Sequence, residues 1–494
     1  MKKRILFWLS QDMVQLGLAK FYSENPDFEI FGISDAAENL QNYLSTQKVI
    51  QFKKIHFMHN SIQKNEKIID IDYLKSIEEK YGINLMSLAL NERYFYSNNN
   101  FYNFSDDEVL KILEQECKFF EKVLDEIKPD YVFMLPPNFH YHEIFCTMCK
   151  NRNIKLGLLN FSRFGKRCII SSNFDKIDLI QDKNNFNKTS RTQKELLEFL
   201  RGNDYYDDNI KNISVFMKSK TNLLKALFHY IFNSNNNNSY THYGRSKLKT
   251  IIITGFINLR ERYRKSFIDK NLAKELPSNS NYIYFPLQIS EENGLLLGAP
   301  FHTNQLEIIR NISQSLPVGY ELYVKEHPAM YMRGWRTSSF YKSIMNLPHV
   351  KLCHPDFSHE KIVDNSSMII TIASTVGMEA AFHGKPSIVF VDVLYSMLPS
   401  VIKLNSIQEL PQTIRTALNT KVQTSDVNKF VNHIEANSFK LDLYGLFSES
   451  SQYFHFGGFL HSENLHDNKF IGFLKKFNLE FEIIFNEYKK FMSS

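Results

Sequence analysis

The sequence has no apolar run long enough to cross a membrane. A spanning helix needs ~20 consecutive apolar residues, and no stretch of the 494 residues approaches that length. The opening MKKRILFWLS has lysines before apolar residues, but its apolar run ends before Gln11 and Asp12. It therefore falls short of the ~7 to 15 apolar residues of a signal-peptide core. We therefore expect a first strand here. We also expect a cytoplasmic protein, which could bind peripherally at the inner membrane face.

The sequence has few cysteines and only a small net charge. Five cysteines spread over the chain are an odd number and indicate reduced thiols rather than a disulfide framework. Cys146 and Cys149 form a CxxC in a helix-like segment, but no second pair follows at zinc spacing, so they are interpreted as small apolar residues one turn apart. A net charge of +6, from 59 basic and 53 acidic residues, is too small to favour nucleic acid as a partner.

The residues that are present describe a large folded protein. Its length exceeds that of one compact core and predicts two domains of ~200 residues with connectors. The 42 Phe and 25 Tyr supply ample core material. Strand-like runs such as RILFWLS, FEIFGIS and DYVFMLPPN alternate with helical patterns and then return as NYIYFPLQ, YELYVKEHP, HVKLC, SMIITIAS and KPSIVFVD. This order predicts an α/β protein with two Rossmann-like domains.

Four segments follow from the change of pattern along the chain. We predict an N-terminal Rossmann-like domain over residues 1–183, a helical connector over 184–280, a second Rossmann-like domain over 281–424 and a helical tail over 425–494 that packs across both domains. The connector holds an asparagine-rich loop between two basic amphipathic stretches. Its cluster of Arg260, Arg262, Arg264 and Lys265 could meet an anionic acceptor or could be a solvated helix face.

Three polar segments of the second domain follow strands. In open α/β sheets, ligands bind at the carboxyl ends of the strands. These segments are PLQISEENG, with Gln288, Glu291 and Glu292; VKEHP, with Lys325, His327 and Pro328; and TIASTVGMEA, with Ser374, Thr375 and Gly377.

The chemistry of these segments favours an anion. Hydroxyls at a helix start can help to hold a phosphate, although they can also be plain N-caps. A lone histidine is more often structural, but Lys325, His327 and Ser374 would all face one crevice, which favours a phosphate-bearing ligand. A carboxylate beside that site could act as a nucleophile or a base in sugar chemistry; otherwise Glu291 and Glu292 are surface acids.

The same three segments, in this order, resemble the nucleotide-binding half of the capsule polysaccharide biosynthesis family, which includes Kdo transferases of GT-B fold. The family carries QxxxD and KxHP motifs. Here Gln288 and Glu292 form QxxxE, and Lys325 to Pro328 form KEHP. The resemblance covers residues 281–416, and the replacement of Asp by Glu is a departure from it.

The resemblance implies a GT-B-like fold, with the two domains facing a cleft, and a role for each matched residue. Glu292 would be the nucleophile of a retaining transfer, and His327 would contact the donor phosphate. Ser374 and Thr375 would contact the phosphate or a sugar carboxylate, and Glu379 the nucleotide ribose. Gln288, Lys325, Pro328 and Gly377 complete the donor site. The acceptor-side candidates are His140, His142, Glu143, Arg163 and Arg167, each of which could instead be structural.

The expected function is a metal-independent glycosyltransferase. It would move a sugar, a CMP-activated 3-deoxy-ulosonic or sialic-type acid, to a cell-surface polysaccharide or glycolipid. No cofactor is expected beyond the nucleotide-sugar donor, which is a substrate, and no DxD pair lies in a suitable loop for a metal. Three alternatives remain: a CDP-polyol phosphotransferase of teichoic-acid type, a sugar-nucleotide epimerase and an inactive glycan-binding scaffold.

Overall fold

The structure is a computed structural model, and it describes residues 2–36, 38–63, 68–97, 99–174, 189–202, 220–233, 239–275, 281–455 and 465–493. Two sequence predictions lie largely outside these ranges. They are the asparagine run, of which 234–238 is not described, and the first part of the basic stretch before it, up to residue 219.

The described residues form strands and helices in alternation. The strands are β1 (Lys3–Leu9), β2 (Phe28–Ser34), β3 (Lys54–Phe57), β4 (Tyr131–Met134), β5 (Lys155–Phe161), β6 (Arg167–Ser171), β7 (Asn281–Pro286), β8 (Tyr320–Lys325), β9 (Val350–Cys353), β10 (Met368–Thr371), β11 (Ser387–Val389), β12 (Val401–Lys403) and β13 (Phe439–Lys440). The eight runs quoted above coincide with β1, β2, β4, β7, β8, β9, β10 and β11, which confirms those predictions.

The α-helices fill the intervals between the strands. They are α1 (Val14–Ser23), α2 (Glu38–Thr46), α3 (Ile71–Tyr81), α4 (Leu85–Asn91), α5 (Asp106–Ile127), α6 (His140–Asn151), α7 (Gln193–Gly202), α8 (Lys220–Asn233), α9 (Lys247–Asn271), α10 (Asn293–Leu296), α11 (Gln305–Ser315), α12 (Ser338–Met345), α13 (His359–Asn365), α14 (Val376–Phe382), α15 (Leu410–Leu418), α16 (Thr424–Ala436), α17 (Leu443–Phe454), α18 (Asp467–Lys476) and α19 (Asn478–Ser493). Within the described ranges, none of these helices is long and apolar enough to cross a bilayer.

The chain divides into two compact units. Unit 1 comprises residues 1–181, 204–247 and 437–494, and unit 2 comprises 182–203 and 248–436. This division differs from the predicted boundaries, because the connector is shared between the units and residues 437–494 belong to unit 1. Long-range contacts explain the difference. Arg191 pairs with Glu435 at 2.9 Å within unit 2, and Tyr488 donates to the carbonyl of Gly157 at 3.1 Å within unit 1.

Unit 1 is built on a seven-stranded sheet in the order β13-β6-β5-β4-β1-β2-β3. Its strands are parallel except for β6, which is antiparallel to both β5 and β13. Alternate residues of β1 enter different cores: Leu6 and Trp8 pack with helices α3 to α6, whereas Phe7 packs with α1, α2 and the C-terminal helices. A sheet covered on both faces needs continuous apolar strands, as RILFWLS is.

The C-terminal helices pack closely onto α1. A Cβ atom on Gly17 would lie 2.3 Å from the ring of Phe481, so only glycine lets α19 approach at this point. This contact joins residues far apart in the sequence and places the tail in the second core of unit 1.

Unit 2 is built on a six-stranded parallel sheet in the order β12-β11-β10-β7-β8-β9. One face buries Ile283, Phe285 and Val324, and the other buries Tyr282 and Tyr323, whose rings stack at 4.1 Å. Strand order reverses between β7 and β10, because β8 and β9 extend the sheet in one direction and β10 to β12 in the other. Both units are therefore Rossmann-like α/β sheets, and the predicted fold class is confirmed at this level.

Candidate functional site

The three polar segments of unit 2 follow three neighbouring strands. Gln288 lies just beyond β7, His327 just beyond β8 and Ser374 just beyond β10, and these strands are adjacent in the order β10-β7-β8. The Oε1 atom of Gln288 accepts a hydrogen bond from the backbone N–H of Ala373 at 3.1 Å. This bond crosses the point where strand order reverses, which is where open α/β sheets bind their ligands.

Lys325 is the most unusual side chain of the site. It is only 4% exposed, and within the described ranges its ammonium has neither a hydrogen bond nor an ion pair. Burial lowers the pKa of Lys325 below its ordinary value, although Cys353, Asp356 and Glu326 oppose this effect. A largely buried cation without a direct ion pair is costly, so an anion arriving beside it would be bound favourably.

His327 is held in one tautomer. Its Nδ1 atom accepts a hydrogen bond from the backbone N–H of Ala329 at 3.1 Å, at the start of the short helix Pro328–Arg333. Burial, followed by the charges of Lys325, Arg336 and His359, lowers the pKa of His327 to about 4. The neutral ring therefore carries its proton on Nε2, which is the donor that a phosphate oxygen requires.

Glu326 and Arg336, two further charges of this loop, pair with each other. Glu326 is fully buried and accepts from Arg336 Nε at 2.9 Å and from the Tyr341 hydroxyl at 2.8 Å. Arg336 also donates to Ser290 Oγ at 2.6 Å and to the carbonyl of Gln288. Arg336 thus joins the loop after β8 to the loop after β7, and its charge is matched inside the protein.

The segment after β10 is organised around Glu379. Thr375 Oγ1 donates to one oxygen of Glu379 at 3.1 Å, and the Nε2 atom of His359 lies 2.7 Å from the other. Burial would raise the pKa of Glu379, but His359 and Thr375 bring it below its ordinary value. His359 also contributes to the lowered pKa of His327, so its charge acts on residues of both the segment after β8 and the segment after β10.

The helix start at Ser374 differs from a simple hydroxyl cap. The N-cap position of α14 is Thr375, whose side chain does not cap the helix, whereas Ser374 Oγ accepts from the N–H of Val376 at 3.3 Å. Gly377 has a packing role, because a Cβ atom there would lie 2.7 Å from the hydroxyl oxygen of Tyr395. That hydroxyl donates to the carbonyl of Ser374, so Gly377 and Tyr395 together hold the segment in place.

The two acids of the QxxxE segment have different surroundings. Glu292 is exposed at the N-cap position of α10, and its side chain does not cap that helix. Glu291 is partly buried, and its Oε2 atom is inaccessible to solvent without a hydrogen-bond partner in the described part of the chain. The motif points to Glu292 as the nucleophile, and Glu291 is the alternative.

In unit 1, His140 forms a buried ion triad. Its Nδ1 atom lies 2.7 Å from Glu92 and its Nε2 atom 2.9 Å from Glu116, and Glu116 also accepts from the Tyr240 hydroxyl at 2.8 Å. Burial alone would lower the pKa of His140, but the two carboxylates raise it to about 10. His140 is fully buried and both ring nitrogens are engaged, so this acceptor-side candidate holds the fold together.

His142 lies instead at the carboxyl ends of the unit 1 strands. Its Nε2 atom is 3.2 Å from Asp35, which follows β2 and also accepts from the Tyr141 hydroxyl at 3.0 Å and from Ser10 at 3.2 Å. Asp12, which follows β1, has its pKa raised to about 6, mainly by burial. These residues form a second polar cluster where strand order reverses in unit 1.

The other acceptor-side candidates are dispersed. Arg167 donates to the hydroxyl and the carbonyl of Ser438, both at 2.7 Å, and so ties β6 to the segment before β13. Arg163 is exposed in a turn with a positive φ of 61°. Glu143 is partly exposed on the first turn of α6. The structure therefore places only His142 of the five in a polar cluster at strand ends.

Five acidic or basic residues of these clusters were not among the sequence candidates: Glu326, Arg336, His359, Asp12 and Asp35. Two had a sequence signal, because Glu326 lies inside KEHP and Arg336 ends the charged loop that follows it. Asp35 directly follows the strand FEIFGIS, a position typical of ligand-binding residues. His359 begins α13 after a five-residue loop, and its pairing with Glu379 is visible only in three dimensions.

Comparison with known proteins gives one family and several distant structures. Residues 187–429 match the family model described as capsule polysaccharide biosynthesis protein, whereas no curated protein matches the chain. KpsC of Thermosulfurimonas dismutans, a beta Kdo 2,7 transferase, is 12% identical, with 67% of this chain and 87% of that chain covered and a TM-score of 0.30. The UDP-GlcNAc 2-epimerase of Methanocaldococcus jannaschii is 11% identical, with coverages of 88% and 100% and a TM-score of 0.24.

A further structure, the UDP-GlcNAc 2-epimerase of Neisseria meningitidis bound to UDP-GlcNAc, is 13% identical, with coverages of 92% and 98% and a TM-score of 0.24. These structural likenesses are weak, and the family match is the more informative finding. It spans the strand-end segments of unit 2 that carry QxxxE and KEHP. Residues 187–429, just under half of the chain, are therefore similar to the capsule polysaccharide biosynthesis family.

Proposed function

We propose that this protein is a glycosyltransferase that binds a nucleotide-activated sugar at the strand ends of unit 2 and transfers the sugar to a polysaccharide or glycolipid acceptor. The observation that carries the proposal is Lys325, a side chain only 4% exposed whose ammonium has no ion pair in the described part of the chain, beside a neutral His327. A phosphate supplies the missing negative charge and accepts from His327 Nε2. Gln288, Pro328, Ser374, Thr375, Gly377 and Glu379 form the surroundings of this anion.

The donor that we propose is a CMP-linked 3-deoxy-ulosonic or sialic-type acid. A nucleoside monophosphate leaving group has one phosphate, which matches one buried lysine and one imidazole donor. The two groups stabilise the charge that develops as the glycosidic bond breaks, so we propose that the transfer needs neither metal nor cofactor. The GT-B arrangement of two domains about a cleft is part of this proposal, because closure would exclude water from the activated donor.

Glu292 is the proposed nucleophile. Its carboxylate would attack the anomeric carbon and CMP would leave. In the second step the acceptor oxygen would attack the anomeric carbon and displace Glu292, with the hydroxyl proton passing to water. The exposed position of Glu292 leaves its carboxylate accessible to a donor. On the acceptor side, we propose that His142 with Asp35 contacts the acceptor, because this pair lies at strand ends in unit 1.

Nucleotide binding tests the donor site. At about one hundred times its Kd, CMP should stabilise unit 2 by about 2.7 kcal/mol, and UDP and GDP should do little in the same thermal-shift measurement. Lys325→Met should abolish the CMP effect, whereas Lys429→Met, which changes an exposed lysine of the same unit, should preserve it. Equal stabilisation by UDP would contradict the monophosphate donor and favour an epimerase or a diphosphate donor.

Turnover tests the reaction itself. CMP-Kdo, CMP-sialic acid and CDP-glycerol should be compared for release of the nucleotide, with EDTA present in a parallel series. Glu292→Gln should eliminate turnover of the CMP-sugar and retain CMP binding, while Glu291→Gln should remain active. The reverse pattern would transfer the nucleophile role to Glu291. Turnover by both variants would refute the covalent mechanism, and CDP-glycerol as the preferred donor would refute sugar transfer.

A further inference from the structure

Helix α9 exposes a continuous apolar face. Leu248, Ile252, Phe256, Leu259 and Tyr263 follow one another at intervals of four, four, three and four residues, which places them on one side of the helix. Each is between 57% and 76% exposed. Such a face on a folded protein marks a surface that another body covers.

The opposite side of α9 is fastened to unit 2. Ile268 is fully buried, and Arg264 donates to the carbonyls of Gly334 at 3.0 Å and Trp335 at 2.7 Å. A Cβ atom on Gly334 would lie 2.5 Å from a carboxylate oxygen of Glu261, so Glu261 of α9 also faces unit 2. These contacts fix the rotation of the helix and direct the apolar face outward.

The charges of α9 are sorted in the same way. Lys249, Arg260, Arg262 and Lys265 are exposed. Of the two acids of the helix, Glu261 packs on Gly334, and Asp269 lies 3.1 Å from His354 with 44% of its side chain exposed. The apolar face therefore has cations beside it, and Asp269, the more exposed acid, is paired near the C-terminal end of the helix.

We propose that α9 binds in the interfacial plane of an anionic phospholipid bilayer. Its apolar side chains would enter the boundary between headgroups and acyl chains, and its cations would contact lipid phosphates. The bound helix lies flat, since it is not apolar enough to span. A second copy of the chain fits less well as the occupant, because pairing two α9 helices would bring like charges together.

Vesicle co-sedimentation of the full chain tests this proposal at low salt, where cationic attraction is least screened. The vesicles are phosphatidylcholine alone or with about one third phosphatidylglycerol. One double variant, Phe256→Glu with Leu259→Glu, removes the apolar face, and a second, Arg260→Glu with Arg262→Glu, reverses the cations. The matched controls are Phe301→Glu with Val318→Glu, exposed apolar residues of unit 2, and Lys361→Glu with Lys429→Glu, exposed lysines of unit 2.

The wild-type chain should sediment with the anionic vesicles and remain soluble with phosphatidylcholine. Both α9 variants should bind the anionic vesicles at least about tenfold more weakly, and both controls should bind like the wild type, with circular dichroism showing that all are folded. Equal binding to both vesicle types, or by wild type and α9 variants, would overturn the proposal. A wild-type dimer that Phe256→Glu with Leu259→Glu converts to a monomer, without vesicle binding, would show an interface between copies instead.

Discussion

Arg336 and Glu326 form an ion pair of 2.9 Å inside unit 2, with side chains only 8% and 0% exposed. The same guanidinium reaches Ser290 and the carbonyl of Gln288. One arginine therefore connects the KEHP loop to the QxxxE loop. The charge pattern of the sequence indicated an anion site in this loop. In the structure, Arg336 forms an ion pair with Glu326, whereas Lys325 has no ion pair in the described part of the chain.

Removing one partner of this pair should destabilise unit 2. Glu326→Ala leaves the Arg336 guanidinium buried without its carboxylate, which costs about 3 to 5 kcal/mol. Arg310→Ala, which breaks an exposed pair with Glu307, should cost less than about 1 kcal/mol. Urea unfolding followed by intrinsic fluorescence measures both. Equal small effects would show that the Arg336 pair does not hold the two loops.

Lys325→Met should stabilise unit 2 while it removes phosphate binding. Methionine fills similar space without a charge to desolvate, and replacing an uncompensated buried charge raises stability. Since the folded-state pKa of Lys325 is lowered, the unfolded chain binds the proton more tightly. The gain should therefore be full at neutral pH and should shrink as pH rises toward the unfolded pKa of about 10.4. A thermal melting series over pH that shows destabilisation would assign Lys325 a structural role.

His327 should make unit 2 less stable as the pH falls below about 6.5. Its folded-state pKa of about 4 lies below the unfolded value of about 6.5, so the unfolded chain takes up a proton first. The contribution is present above pH 6.5 and is lost as pH falls to about 4, by about 3 kcal/mol. His327→Asn keeps an acceptor for the N–H of Ala329 but does not titrate. The difference in unfolding free energy between wild type and variant should therefore be constant above pH 6.5 and constant below pH 4, and should change by about 3 kcal/mol between these two limits. A constant difference across that range would contradict the lowered pKa.

His140 should have the opposite pH dependence in unit 1. Its folded-state pKa of about 10 lies above the unfolded value of about 6.5. The stabilisation is fully present below pH 6.5 and is lost as pH rises through about 10. His140→Gln should remove this alkaline loss and destabilise unit 1 at neutral pH, with CMP binding unchanged. His349→Asn, at an exposed histidine, is the control, and loss of CMP binding in a folded His140→Gln would contradict a structural role.

Gly377→Ala should destabilise the segment after β10 through one contact. The added methyl would lie 2.7 Å from the Tyr395 hydroxyl and 3.1 Å from Thr371 Cγ2, and overpacking of this kind costs about 1 to 3 kcal/mol. Tyr395→Phe removes the hydroxyl and should recover part of the loss in the double variant. The double-mutant cycle, measured by thermal unfolding, should show a coupling of at least about 0.5 kcal/mol. Additive effects would show that the hydroxyl is not the obstacle.

The sequence by itself determined the strands and the location of the donor-site segments. Runs such as RILFWLS and SMIITIAS are apolar throughout because strands buried on both faces need such residues, and the segments with Gln288, Lys325 and Ser374 follow directly on strands, where open sheets bind ligands. The CxxC of Cys146 and Cys149 was likewise predictable as helix core, and both residues are buried in α6 without a disulfide.

Only the tertiary structure decided which charges are matched. His140 pairs with Glu92 and Glu116, and Arg336 pairs with Glu326. Arg167 donates hydrogen bonds to Ser438. Lys325 has no ion pair among the described residues. The division of the chain into two units also follows from long-range contacts, such as that of Gly17 with Phe481. The physical reason is the same in each case: hydropathy and spacing report local structure, whereas the burial of a charge or a glycine depends on what distant parts of the chain bring against it.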